Sequence, residues 1–151
     1  LHHGNLIYTQ GTFFAIDYTW GALDDPYTDL ANVSIFNCRT ESDDRLLLQL
    51  YLGRPPSDEE MARLSLMKLP VKIFYGLECL GIAFNLLNGE LSPQTPSKTY
   101  MQIGVPGSPA PSPLDILVYA YSFLSEVFDY SRSSQYQADL DEISGCLFIP
   151  Q

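Results

Sequence analysis

Between Ser57 and Leu87 the sequence carries one long apolar stretch with a helix start at its head and a single proline inside. Any fold of this chain must find cover for it. Ser57-Asp58-Glu59-Glu60 matches the S-x-x-E box, in which the serine hydroxyl and the glutamate carboxylate each satisfy the other residue's free backbone N–H. Met61, Leu64, Met67 and Val71 then recur at helical spacing. Apolar residues continue on so many sides, to about Leu87, that this helix is expected at the centre of the core. Pro70 removes a donor and clashes with the preceding turn, so it is expected to kink or split the helix.

The flanking segments fit around such a helix. Ala31, Val33, Ile35 and Phe36 predict a helix beginning near Leu30, capped by Asp29 or Asp25. A second helix is expected from Ser42 through Leu46, Leu47, Leu50 and Tyr51, ended by Gly53. Residues 88–112 interleave Pro93, Pro96, Pro106, Pro109 and Pro111 with Ser, Thr and Gly, and read as a mobile loop. Ser112-Pro113 supplies a cap and a first-turn proline, after which Leu114, Leu117, Tyr121, Leu124 and Phe128 share one helical face. A shorter helix is expected around Tyr136, Leu140 and Ile143. Near the N-terminus, Leu6–Thr9 and Phe13–Ile16 flank Gln10-Gly11-Thr12 and predict a short β-hairpin. The expected fold class is mainly α, α+β overall, in one domain spanning 1–151.

Composition narrows the function. Eighteen acidic residues against eight basic ones give a net charge of −10, which repels phosphate backbones and argues against nucleic acid. A small cationic partner suits it better. Cys38, Cys79 and Cys146 are odd in number and lack zinc spacing, as in a reduced, cytoplasmic protein. No uninterrupted apolar run reaches the ~18 residues of a membrane span, and no signal peptide is visible. There is no Gly-x-x-x-x-Gly-Lys phosphate loop, no Gly-x-Ser-x-Gly elbow and no His-Glu-x-x-His zinc helix.

The chemistry-bearing residues lie in the first 31 positions. A Leu1-His2-His3-Gly4-Asn5 segment leads through the hairpin to Ile16-Asp17, then to Asp24-Asp25-Pro26 and Asp29-Leu30-Ala31. Antiparallel strands bring their outer ends together, so Asn5 and Asp17 are expected to emerge side by side. One carboxylate and one amide oxygen are hard donors suited to Mg²⁺, which takes oxygen ligands and keeps several waters.

These ordered elements resemble the catalytic core of the family that joins choline and ethanolamine kinases to the aminoglycoside phosphotransferases. Its loop reads His-x-Asp-x-x-x-x-Asn, and laying the Asn on Asn5 places the catalytic Asp immediately before Leu1, outside this chain. The resemblance implies the helical C-terminal lobe of a protein-kinase-like fold, with Asn5 and Asp17 holding Mg²⁺ and, through it, ATP. Asp29 would be a structural support. Trp20 and Tyr27 would be acceptor contacts through cation–π attraction. The implied parent activity is transfer of a phosphoryl group from ATP to a hydroxyl of a choline-like or aminoglycoside-like acceptor, with this fragment inactive alone. The nucleotide-gripping lysine would belong to an N-terminal lobe that is missing here.

The family's Asp-Trp-Glu is Asp17-Tyr18-Thr19 in this chain. Thr19 therefore supports an alternative in which a degenerate lobe serves as a protein-binding or assembly module. Self-association through surface normally covered by the other lobe is a further expectation.

Overall fold

The computed structural model describes residues 6–15, 25–91 and 111–147. They form one two-stranded hairpin and five helices: β1 (Leu6–Thr9), β2 (Thr12–Ala15), α1 (Pro26–Asn37), α2 (Glu41–Leu52), α3 (Asp58–Leu86), α4 (Pro113–Ser131) and α5 (Ser134–Leu147). The fold is mainly α, as the sequence pattern leads one to expect. The chain divides into two compact units, Leu1–Lys68 with Gln137–Gln151, and Leu69–Tyr136. Helix α3 contributes its first part to one and its second part to the other.

In the hairpin, Leu6 pairs with Ala15, Ile7 with Phe14, Tyr8 with Phe13 and Thr9 with Thr12. Gln10 (φ 50°) and Gly11 (φ 79°) both take positive φ, which defines a two-residue turn that matches the strand twist. Thr12 is thus a strand residue, whereas the sequence reading put it in the turn; Ile16 lies outside the described residues. Ile7, Tyr8, Phe13 and Phe14 are all exposed, although the Tyr8 and Phe13 rings lie 4.8 Å apart.

In the first unit, α1 starts at Pro26, earlier than expected, because Asp25 caps it: the carboxylate accepts from the Tyr27 N–H and proline occupies the first turn. Leu30, Ala31, Ser34 and Ile35 form its inner face. Helix α2 begins one residue before Ser42, since Thr40 and Asp43 form a capping box that the sequence reading missed. Gly53, in the left-handed region at φ 70°, ends it as expected. Leu48 is the buried residue of α2, whereas Leu46, Leu50 and Tyr51, the apolar residues that marked the helix in the sequence, are exposed. Met61, Ala62 and Leu64 of α3 complete this core. The Ser57–Glu60 box opens α3 as predicted, with Glu60 N–H donating to Ser57 Oγ and Ser57 N–H to Glu60 Oε2. Asp139 is buried on α5, and Leu140 and Ile143 near it are half-buried.

In the second unit, Val71 and Ala83 of α3 are buried, as are Leu117, Ala120 and Phe123 of α4. Phe123 anchors an aromatic cluster, with its ring stacked 5.9 Å from Tyr75 and edge-on 4.9 Å from Tyr119. A capping box of Ser112 and Asp115 starts α4. The predicted α4 stripe is only partly right: Leu117 is buried, but Leu114 and Phe128 at its two ends are exposed.

Two expectations for α3 are revised. Of the kink or split expected at Pro70, the split does not occur: Asp58–Leu86 is one uninterrupted helix, although residue 70 has no N–H to donate. Nor does all of α3 lie in a core, because Ile73, Phe74, Leu77, Ile82, Phe84 and Leu86 are exposed. By length and composition alone α3 would also suffice to cross a membrane, a property that counting uninterrupted apolar runs conceals. Of the loop expected over 88–112, residues 92–110 lie outside the described residues.

Candidate functional site

Of the residues that the motif singles out, Asp25, Pro26, Tyr27 and Asp29 lie at the start of α1. Asp25 is extended (φ −60°, ψ 121°), and its Oδ1 accepts the Tyr27 N–H at 2.9 Å while its carbonyl accepts the Thr28 N–H at 2.8 Å. Oδ2 accepts from Arg63 Nη2 at 2.7 Å, a contact between residues 38 apart in sequence. The same guanidinium lies over the Tyr27 ring, 4.4 Å from its centroid. One side chain of α3 thereby holds both the cap and the first aromatic residue of α1. A planar cation suits this double task, because it forms hydrogen bonds in its plane and stacks through its face.

Neighbouring contacts fix the α3 side of this arrangement. Arg54 makes a two-point pair with Glu60, Nη2 to Oε1 at 2.6 Å and Nη1 to Oε2 at 2.9 Å. The Thr28 hydroxyl donates to Met67 Sδ at 3.8 Å. Hydrogen bonds from Arg63 and from the Tyr27 N–H hold the Asp25 carboxyl below the usual carboxylate range. Arg54 and the Ser57 N–H bring Glu60 down to about 2. Burial, reinforced by the Glu60 charge, raises the Tyr27 phenol.

A second polar node ties α1, α2 and α3 together. Asp44 accepts from Ser34 Oγ through one carboxylate oxygen and from Lys68 Nζ through the other. Ser34 is 1% exposed, and the Asp44 and Lys68 side chains are mostly withdrawn from water. Burial, and then the Asp44 charge, push the neighbouring Cys38 thiol up to about 11. It is therefore a weak nucleophile, and the node reads as a structural tie.

Of the residues expected to carry chemistry, Asn5, Asp17 and Trp20 lie outside the described residues, as does Thr19. Asp29 is exposed in the first turn of α1, where its charge favours the helix N-terminus. Tyr27 is 5% exposed and its ring face is taken by Arg63, which gives it a packing role. Asp25 has both carboxylate oxygens engaged, so it serves as an anchor for the segment that follows Asp17. Among the described residues no group of three or more His, Cys, Asp or Glu is placed to hold a metal ion. Arg63 is the site residue that sequence reasoning missed, because nothing local distinguishes it from any other arginine on a capped helix.

No protein-family model, curated protein or solved structure matches this chain.

Proposed function

We propose that the chain is the helical C-terminal lobe of an ATP-dependent phosphotransferase acting on a hydroxyl of a small cationic acceptor, choline-like or aminoglycoside-like. The observation that carries the reading is the ordered series Asn5, hairpin, Asp17, Asp25-Pro26, Asp29-Leu30-Ala31. Two features support it: a tight hairpin forms from the residues between Asn5 and Asp17 in the sequence, and Asp25-Pro26 opens a helix with Asp29 in its first turn. Arg63 adds a fixed anchor at Asp25.

On this reading Asn5 and Asp17 hold Mg²⁺, a donor set of the right hardness, and Trp20 contacts the acceptor. Bound there, the ion would neutralise charge on the phosphates. The chain's own contribution is positional: Asp29 and the Asp25–Arg63 pair keep the polypeptide after Asp17 in place. The catalytic Asp, expected immediately before Leu1, and a nucleotide-gripping lobe are needed for turnover, so this chain alone should transfer no phosphate.

The test is Mn²⁺ binding followed by electron paramagnetic resonance, in the presence of ATP. Asp17→Asn and Asn5→Ala should each weaken binding at least ~10-fold, an effect of the size expected for losing one ligand. Glu41→Gln, at an exposed carboxylate of α2, should leave it nearly unchanged. Equal binding by all four proteins refutes the assignment. Thr19, standing where the family places an acid, favours a second reading as a degenerate lobe retained for assembly. A longer protein that carries His-x-Asp upstream and still fails to phosphorylate amino alcohols and aminoglycosides would favour that reading.

A further inference from the structure

The second part of α3 carries an exposed apolar stripe on the side away from α4. At about 100° per residue, Pro70, Ile73, Phe74, Leu77, Gly81 and Phe84 fall within an arc of roughly 100°, the width of a packing face. Ile73 is 40% exposed, Phe74 54%, Leu77 56% and Phe84 48%. Gly76 and Ala83 lie on the other side; Ala83 is fully buried and Gly76 is closed over by Leu124 and Phe123 of α4. A Cβ at Gly81, by contrast, would meet nothing within 4 Å. The stripe therefore has bulk at Phe74 and a gap at Gly81, seven residues on and on the same face.

We propose that this stripe is where a second copy of the chain docks, as an antiparallel α3–α3 pair. A two-fold axis between Leu77 and Glu78 sets Phe74 of each copy opposite Gly81 of the other, so that each ring fills the other copy's gap. The parallel arrangement opposes ring to ring and gap to gap, which dense packing disfavours. At roughly 200 Å² per large apolar side chain, half-exposed, the stripe and its rim offer about 500 Å² per copy. The pair then reaches the ~1,000 Å² that a specific interface needs. The two charged residues in Leu69–Leu87 do not stand in the way: Lys72 pairs with Glu126 of α4, and Glu78 sits at the rim. Each copy carries a net charge of −10, so the pair forms against long-range repulsion and salt strengthens it. The proposal does not rest on the phosphotransferase reading.

Sedimentation velocity on the full chain, from low to high micromolar concentration and at two ionic strengths, tests it. A dimer that tightens with salt is expected. Leu77→Glu and Gly81→Gln should each raise the dissociation constant at least ~10-fold, as loss of a central contact does. Both positions are exposed, so the melting curve at low concentration should stay in place for Leu77→Glu and stay or rise for Gly81→Gln. Leu50→Glu, at an exposed apolar residue of α2, should leave the dimer intact. A monomer at all concentrations overturns the proposal, as does a dimer that Leu50→Glu breaks and Leu77→Glu does not. Adsorption of a monomer to phosphatidylcholine vesicles, lost in Leu77→Glu, would give the stripe to a bilayer instead.

Discussion

Replacing Gly76 and Gly81 by alanine, one at a time, should move stability in opposite directions although both lie inside α3. Alanine in a helix interior gains about 1 kcal/mol over glycine, mostly by restricting the unfolded chain. At Gly81 nothing opposes that gain, because a new Cβ meets open space. At Gly76 the Cβ would stand 2.8 Å from Leu124 Cγ, 2.9 Å from Leu124 Cδ2 and 3.4 Å from Phe123 Cβ. Phe123 is fully buried and cannot give way, so Leu124 must leave its rotamer or the two helices must part. Overpacking of this kind costs about 1–3 kcal/mol, which exceeds the propensity gain and leaves Gly76→Ala destabilised by about 1 kcal/mol. The two variants should therefore differ by about 2 kcal/mol, or roughly 4–8 °C in melting temperature for a chain of this size. Circular dichroism melts at two protein concentrations separate this from any change in association. The mechanism is checked by Leu124→Ala, in whose background Gly76→Ala should become neutral or stabilising. A Gly76→Ala protein as stable as Gly81→Ala would refute the close approach of α3 and α4.

Arg63→Ala removes a partly exposed ion pair and a contact with the buried Tyr27 ring, so it should cost about 1 kcal/mol, with Arg63→Lys recovering only part; urea denaturation reads both. Asn32 bonds the Thr28 carbonyl through Nδ2, but its buried Oδ1 has no hydrogen-bond partner among the described residues. Asn32→Ala exchanges one bond worth about 1 kcal/mol for relief of an unpaired acceptor and better helix propensity, and should be neutral or stabilising in the same assay. With pH, the sign follows from the shifts. Asp25, Asp43 and Glu60 are lowered in the folded protein, so the stability they provide is complete above the ordinary carboxylate range and is lost as pH falls through it toward about 2. Tyr27, Tyr75 and Tyr119 are raised by burial, so their protonated forms favour the fold below pH ~10 and that contribution fades above it. Urea midpoints should form a plateau bounded by an acid and an alkaline fall; a midpoint rising below pH 4 would contradict the first half.

Helix starts were the most legible part of this chain, because caps are local. Ser57 with Glu60 and Ser112 with Pro113 announce α3 and α4 within four residues each. Thr40 with Asp43 does the same job but lies two residues before Ser42, the expected start. Asp25-Pro26 is ambiguous by nature: the dipeptide that reads as a turn also reads as a cap followed by a first-turn proline, and Arg63 stabilises the second outcome from 38 residues away. Faces were less legible than starts. Leucines at 46, 47, 48 and 50 leave several inner faces open for α2, and the choice of Leu48 is made where Asp44, on the same face, meets Ser34 and Lys68. Of the candidate site, Tyr27 shows the limit most clearly: its type and position suit a cation, and the structure supplies one from within the chain.

The same limit explains α3. Hydrophobicity along a sequence shows that a helix wants neighbours but not how many it has, so an all-round apolar helix reads as a central one. Within the second unit α3 meets α4 at Gly76, and Ile73, Phe74, Leu77 and Phe84 are exposed. That surplus is not of one kind with the surplus on the hairpin. Ile7, Tyr8, Phe13 and Phe14 alternate across both faces of a two-stranded ribbon, and such a ribbon is at best marginally stable unless something covers it. On the phosphotransferase proposal, that cover would come from an N-terminal lobe, since the ribbon lies between Asn5 and Asp17 in the sequence. The α3 stripe has helical period and a ring-and-gap profile that complements itself, a geometry for a like helix. The two patches thus call for different partners, and Phe13→Ser should leave the proposed dimer untouched, whereas Phe74→Ser should weaken it. If both substitutions dissolved it equally, the stripe would lose its claim to a specific partner, and the dimer would reduce to apolar surface meeting apolar surface.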